Sequence, residues 1–135
     1  FETNLLNTSE EGVKFCEEVG RDNVLLLLDT FHMNIEEDDL SEAILTAGSL
    51  LGHLHVGEAN RKLPGQGRLP WSKIGEALKK VNYSGDVVME PFLKSGGEVG
   101  NDIKVWRDLS NNADGEKMDL MIKESLDFLK NKLEV

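Results

Sequence analysis

Three short runs of this chain are almost wholly apolar, and each ends at or beside a side chain able to bind a divalent metal: Leu25-Leu26-Leu27-Leu28-Asp29, Leu51-Gly52-His53-Leu54-His55-Val56 and Val87-Val88-Met89-Glu90. Continuous hydrophobicity over so few residues predicts strands over 24–29, 51–56 and 86–90, of the kind that helices cover in a parallel sheet. The segments between them change to a helical period. Thr8 and Glu11 form a T-x-x-E capping box ahead of Val13, Cys16 and Val19, with Gly20 as a stop, which predicts a helix over 9–19. Acidic residues 36–39 suit the positive end of a helix dipole, and Leu40, Ile44, Ala47 and Leu51 then share one buried face. After a glycine- and proline-bearing loop over 57–70, Trp71, Ile74, Leu78 and Val81 define another helix, and Ile122, Leu126, Leu129 and Leu133 define the last. A long connection holds Gly96-Gly97 and a segment over 103–109 that reads as a short helix. The order α-β-α-β-α-β-α is an α/β alternation.

Side chains two apart on a strand point the same way. Leu27 therefore goes with Asp29, His53 with His55 and Val88 with Glu90, while Leu28, Leu54 and Met89 face the helices. In a β/α barrel, catalytic groups sit at the carboxyl ends of successive parallel strands, and Asp29, His55 and Glu90 would face one another across such a mouth. A complete (β/α)₈ barrel needs about 250 residues, roughly 31 per unit. The 135 residues here suit about four units, a single partial domain over 1–135. An open half barrel exposes its interior and two strand edges, so a missing half or a partner chain is expected.

The formal charge of −10 argues against a nucleic-acid or anionic-membrane surface, where basic patches carry binding. There is no long apolar span and no signal-peptide pattern. A single cysteine, Cys16, allows no disulfide within the chain and suits a reducing cytoplasm. Aspartate, histidine and glutamate together suit a hard or borderline ion such as Mn²⁺, Mg²⁺ or Co²⁺. Each has a plainer reading: Asp29 as a turn or cap residue, His55 as a core histidine, Glu90 as a solvated strand end. Their recurrence at three successive strand ends favours the metal. His32 reads by itself as a loop histidine and Arg61 as a surface partner of Glu58. His53 reads as interior packing or support for the ligands, Phe92 and Trp106 as core or an apolar wall, and Cys16 as buried and inert.

Four stretches carry a resemblance: Leu28-Asp29-Thr30-Phe31-His32-Met33-Asn34-Ile35-Glu36-Glu37, His53-Leu54-His55-Val56-Gly57-Glu58-Ala59-Asn60-Arg61 with Pro64-Gly65-Gln66-Gly67, Val88-Met89-Glu90-Pro91-Phe92, and Asp102-Ile103-Lys104-Val105-Trp106-Arg107-Asp108-Leu109. Together they resemble the ketose 3-epimerases, the D-tagatose and D-psicose 3-epimerase family. The resemblance implies a xylose-isomerase-like TIM barrel, of which this chain would be the C-terminal half, about strands 6–8 with flanking helices, the N-terminal half being absent. It implies one divalent metal, Mn²⁺ first with Co²⁺ or Mg²⁺ as alternatives, held in part by Asp29, His55 and Glu90. It further implies Glu90 as a catalytic acid–base, and Glu2, His32 and Arg61 as contacts to a ketose. The family's other catalytic glutamate precedes an Asn-Arg-Phe-Glu stretch. If Phe1-Glu2 closes that stretch, this glutamate lies outside the sequence.

The chemistry explains these residue types. A C3 proton of a ketose is too weakly acidic for a free carboxylate, and a bound divalent ion would supply the Lewis acidity that stabilises the charge of a cis-enediolate. Inversion requires carboxyl groups on both faces of C3, and Glu90 is one. Arg61, which cannot readily lose its proton, would orient and polarise. Another sugar isomerase on the same barrel, a metal-dependent endonuclease and a non-catalytic half barrel are the competing readings. Acidity counts against the endonuclease. Association into a homo-oligomer, or with the missing half, is expected; the preferred ketose stays open.

Overall fold

The computed structural model describes residues 3–133, so Glu2, a candidate ketose contact, lies outside the described residues. The expected α/β alternation is present. Helix α1 (Ser9–Val19) starts at a complete capping box of Thr8 and Glu11 and stops at left-handed Gly20. Strands β1 (Leu26–Asp29), β2 (Leu51–Val56) and β3 (Asp86–Met89) lie side by side in that order. Both pairings are parallel, with Leu27 opposite His53, Asp29 opposite His55, and His55 opposite Val88.

Two helices occupy the first crossover where the sequence suggests one. Helix α2 (Thr30–Glu36) begins directly at the end of β1, and α3 (Leu40–Ala47) follows with Asp39 as its cap. Leu51, expected on the α3 face, is instead the first residue of β2, reached through a 3₁₀ turn over Gly48–Leu50. Helix α4 (Trp71–Lys80) forms as expected. In the long connection the helix is α5 (Gly97–Asp102), and the expected helix over 103–109 is absent. Lys104 there takes a left-handed φ of 63°, a conformation that breaks a right-handed helix. Helix α6 (Gly115–Leu133) closes the described chain.

One layer of core lies between the sheet and α3, α4 and α6. Leu54, Ile44, Ile74 and Leu78 are fully buried in it, with Trp71 and Leu133 beside them. The alternation of the strands decides this: Leu28 and Leu54 point to the helices and are buried. Their neighbours on the other face remain open, Leu27 at 53% and Val88 at 42%. On α6 the buried face runs through Ser125, Leu129 and Leu133 rather than through the expected Ile122 and Leu126, which are exposed. Ser125 is held there by its hydroxyl, which donates to the carbonyl of Pro64 at 2.8 Å. Trp106 is 68% exposed and is not a core residue, whereas Cys16 is buried. No described helix is long and apolar enough to cross a membrane.

Candidate functional site

The carboxyl ends of the three strands converge. Asp29 closes β1, its β2 neighbour across the ladder is His55, and Glu90 stands one residue beyond β3 with its N–H donating to the carbonyl of Val56 at 3.0 Å. A side-chain lock fixes the first two ends to each other. The buried Thr30 hydroxyl donates to the carbonyl of Gly57 at 2.7 Å and accepts from the Gly57 N–H at 3.0 Å. It thereby ties the residue after Asp29 to the turn that follows His55.

Asp29 divides its work between its two oxygens. Oδ1 caps α2, accepting from the N–H groups of Phe31 at 2.7 Å and His32 at 3.3 Å. Oδ2 faces the strand ends, 3.9 Å from Nδ1 of His55. The same nitrogen is 3.5 Å from Oε1 of Glu90. One donor atom from each of Asp29, His55 and Glu90 lies within 4.8 Å of the others, and no other such group occurs among the described residues. Ligands bound at about 2.0–2.2 Å stand at most about 4.4 Å apart, so a small inward movement would let all three share an ion. Two carboxylates and an imidazole, with the carboxylates at repulsive range, form a donor set that fits a hard or borderline divalent cation.

The pKa of Glu90 is raised by partial burial first, then by a hydrogen bond and a like charge from Asp29; His55 and Arg61 pull the other way without prevailing. Its outer oxygen, Oε2, is 3.8 Å from the Arg61 guanidinium. That guanidinium is stacked at 3.6 Å on the Phe31 ring and at 4.9 Å on Phe92. Planar, weakly hydrated guanidinium groups favour such stacking. Phe92 is thus part of the Arg61 cradle.

The plainer alternative for Arg61, a surface ion pair with Glu58, is not what the structure shows. Glu58 is fully buried, and its oxygens accept from the N–H groups of Gly65, Arg68 and Leu69 and from the indole of Trp71. Reasoning from sequence missed it, because a glutamate in a glycine-rich loop reads as solvated. Gly67 leaves the space that the carboxylate fills, since a Cβ there would overlap it. His53 stacks edge-on to His55 with ring centres 5.0 Å apart, a supporting position. His32 is half-buried on α2 and, with Asp29, lines a cleft of about 390 Å³ along the open side of β1.

The family described as a xylose isomerase-like TIM barrel matches residues 1–132. The chain is similar to the D-psicose 3-epimerase of Agrobacterium fabrum, 59% identical over 95% of this chain and 44% of that protein. It is similar to the D-psicose 3-epimerase of Ruminiclostridium cellulolyticum, 58% identical over 99% of this chain and 46% of that protein. A crystal structure of D-psicose 3-epimerase in the presence of D-fructose superposes with a TM-score of 0.97 at 58% identity, covering 98% of this chain and 46% of that one. The chain thus spans a little under half the length of these relatives, which agrees with a partial barrel. The expected placement in the C-terminal half, at strands 6–8, is not supported. Parallel strands with helical crossovers repeat around the barrel with the same geometry, so three of them carry no strand number.

Proposed function

We propose, for a chain that belongs to the xylose isomerase-like TIM-barrel family, a part in the epimerisation of free ketoses at C3. D-psicose and D-fructose are the first candidate pair, and D-tagatose and D-sorbose the second. The observation that carries the reading is the convergence of Asp29, His55 and Glu90 at three strand ends, with Arg61 on the outer oxygen of Glu90. The similarity to D-psicose 3-epimerases supports it.

Asp29 Oδ2, a nitrogen of His55 and Glu90 Oε1 would hold one divalent ion, Mn²⁺ first among the candidates. That ion would supply Lewis acidity toward a carbonyl and a neighbouring hydroxyl, and so stabilise the charge left when the C3 proton departs. The chain's own groups do the rest. Glu90 takes or returns the proton through Oε2, the oxygen left outside the ligand set and beside Arg61. Arg61, fixed between two aromatic rings, presents a permanent positive charge beside that oxygen and donates to substrate oxygens. The caps from Phe31 and His32 keep Asp29 from rotating away. His32 contributes a further sugar contact from α2, and Glu2 another.

Epimerisation inverts C3, so a second carboxyl group is required on the opposite face. Among the described residues the strand-end cluster offers Glu90 and the capped Asp29. We assign the second acid–base to residues beyond these, reached across the open inner face. The test is conversion of D-fructose to D-psicose by the complete protein with Mn²⁺, against Glu90→Gln and Arg61→Ala. The reading expects loss on the order of a hundredfold or more for Glu90→Gln and a raised KM for Arg61→Ala. Conversion unchanged in Glu90→Gln would end it. Product interconverted between C1 and C2 would instead favour an aldose–ketose isomerase.

A further inference from the structure

Arg61 has a backbone φ of 67°, a left-handed conformation that costs a residue with a Cβ about 1–2 kcal/mol. Such strain persists only where the surroundings over-determine it. Two restraints are in reach: the Phe92 N–H, which donates to the Arg61 carbonyl at 2.9 Å, and Glu58. Its carbonyl accepts from the Arg61 N–H at 2.9 Å and its N–H donates to the carbonyl of Lys62 at 3.0 Å, which closes the tight turn that carries Arg61. Its side chain runs inward, fully buried. The carboxylate accepts four hydrogen bonds: Gly65 N–H at 2.8 Å, Arg68 N–H at 3.0 Å, Leu69 N–H at 3.2 Å and the Trp71 indole at 2.7 Å. A buried carboxylate with every neighbour a donor anchors a loop strongly, because each bond is charge-assisted and none competes with water. Gly67 leaves room for it, and the buried Leu63 and Pro64 pin the stretch between.

We propose that Glu58 is a positioning residue for Arg61: its buried carboxylate fastens the loop over 57–70 to the start of α4, and through that loop holds the Arg61 guanidinium between Phe31 and Phe92, beside Glu90. Glu58 itself touches neither substrate nor metal. The catalytic consequence rests on the epimerase reading above; the structural one does not. Glu58→Gln keeps the size but turns an N–H₂ donor toward N–H donors. Trp71→Phe removes one donor and keeps an aromatic ring in the core, so it serves if Glu58→Gln does not fold.

Two readouts apply to the complete protein. The Arg61 side-chain resonances, shifted upfield by the Phe31 ring at 3.6 Å, move toward their free-arginine positions in Glu58→Gln and part of the way in Trp71→Phe. In D-psicose epimerisation, Glu58→Gln lowers kcat/KM on the order of tenfold to a hundredfold. Added to Arg61→Ala it lowers it by less than about twofold more, since the two changes remove one function. Arg61 resonances left in place in both variants would overturn the proposal. So would a Glu58→Gln loss that is fully retained in the Arg61→Ala background. If the parent protein epimerises no ketose, the epimerase reading fails while the resonances still decide the positioning role.

Discussion

Thr30→Val is the most informative single perturbation of the strand-end geometry. Valine has nearly the shape of threonine, so it leaves no cavity, but it cannot replace a hydroxyl that both donates to and accepts from Gly57. Thr30 is fully buried and Gly57 is buried too, so water does not substitute freely. Two lost bonds at about 0.5–1.5 kcal/mol each, plus the cost of leaving buried partners unsatisfied, give about 2–4 kcal/mol. With a urea slope of about 1–3 kcal/mol/M for a domain of this size, the unfolding midpoint falls by about 0.7–4 M. Thr30→Ser keeps the hydroxyl and loses one methyl, a cost of about 1 kcal/mol. The expected order is therefore wild type, serine, valine, although valine is the more hydrophobic residue. Valine at or above serine in urea unfolding would refute the lock between β1 and β2.

Two further outcomes follow from the same geometry. Gly67→Ala drives a methyl into the Glu58 carboxylate, and overpacking of this kind costs about 1–3 kcal/mol in denaturant unfolding; a neutral substitution would mean that the loop around Glu58 yields easily. Glu90 has a pKa raised by burial and by Asp29, so without metal its ionised form disfavours the folded state at neutral pH. As pH falls through the folded-state pKa toward the unfolded one, Glu90 gains its proton first in the folded protein and that cost disappears. Glu90→Gln should therefore raise the metal-free Tm at neutral pH, by a margin that shrinks with acidification, and should weaken the rise in Tm that Mn²⁺ brings to the wild type; a margin that grows on acidification would contradict the sign.

The legible features in the sequence were those fixed by local chemistry. The Thr8–Glu11 box and Gly20 mark α1 to the residue, and the period-two pattern correctly separates buried Leu28 and Leu54 from open Leu27 and Val88. Asp29, His55 and Glu90 could be matched because parallel register aligns strand ends with one another. Helix α2 escaped because it is only seven residues long and its cap, Asp29, reads first as the end of a strand. Helix α5 carries glycines at both Gly97 and Gly100, residues that propensity disfavours in helices. The α6 face was misjudged because hydrophobicity favours Ile122 and Leu126, whereas a hydrogen bond to Pro64 draws in Ser125. Glu58 escaped for a related reason: its four donors come from residues up to thirteen positions away, and no local pattern announces a buried carboxylate.

The central claim is that the Asp29–His55–Glu90 cluster moves a proton at C3 of a ketose. Its most direct measurement is deuterium incorporation into D-fructose and D-psicose in deuterated water, by the complete protein with Mn²⁺, located by NMR on each carbon. Incorporation at C3 alone, dependent on the metal and lost in Glu90→Gln, is the predicted result. Incorporation at C1, or at C3 undiminished in Glu90→Gln, would contradict the claim.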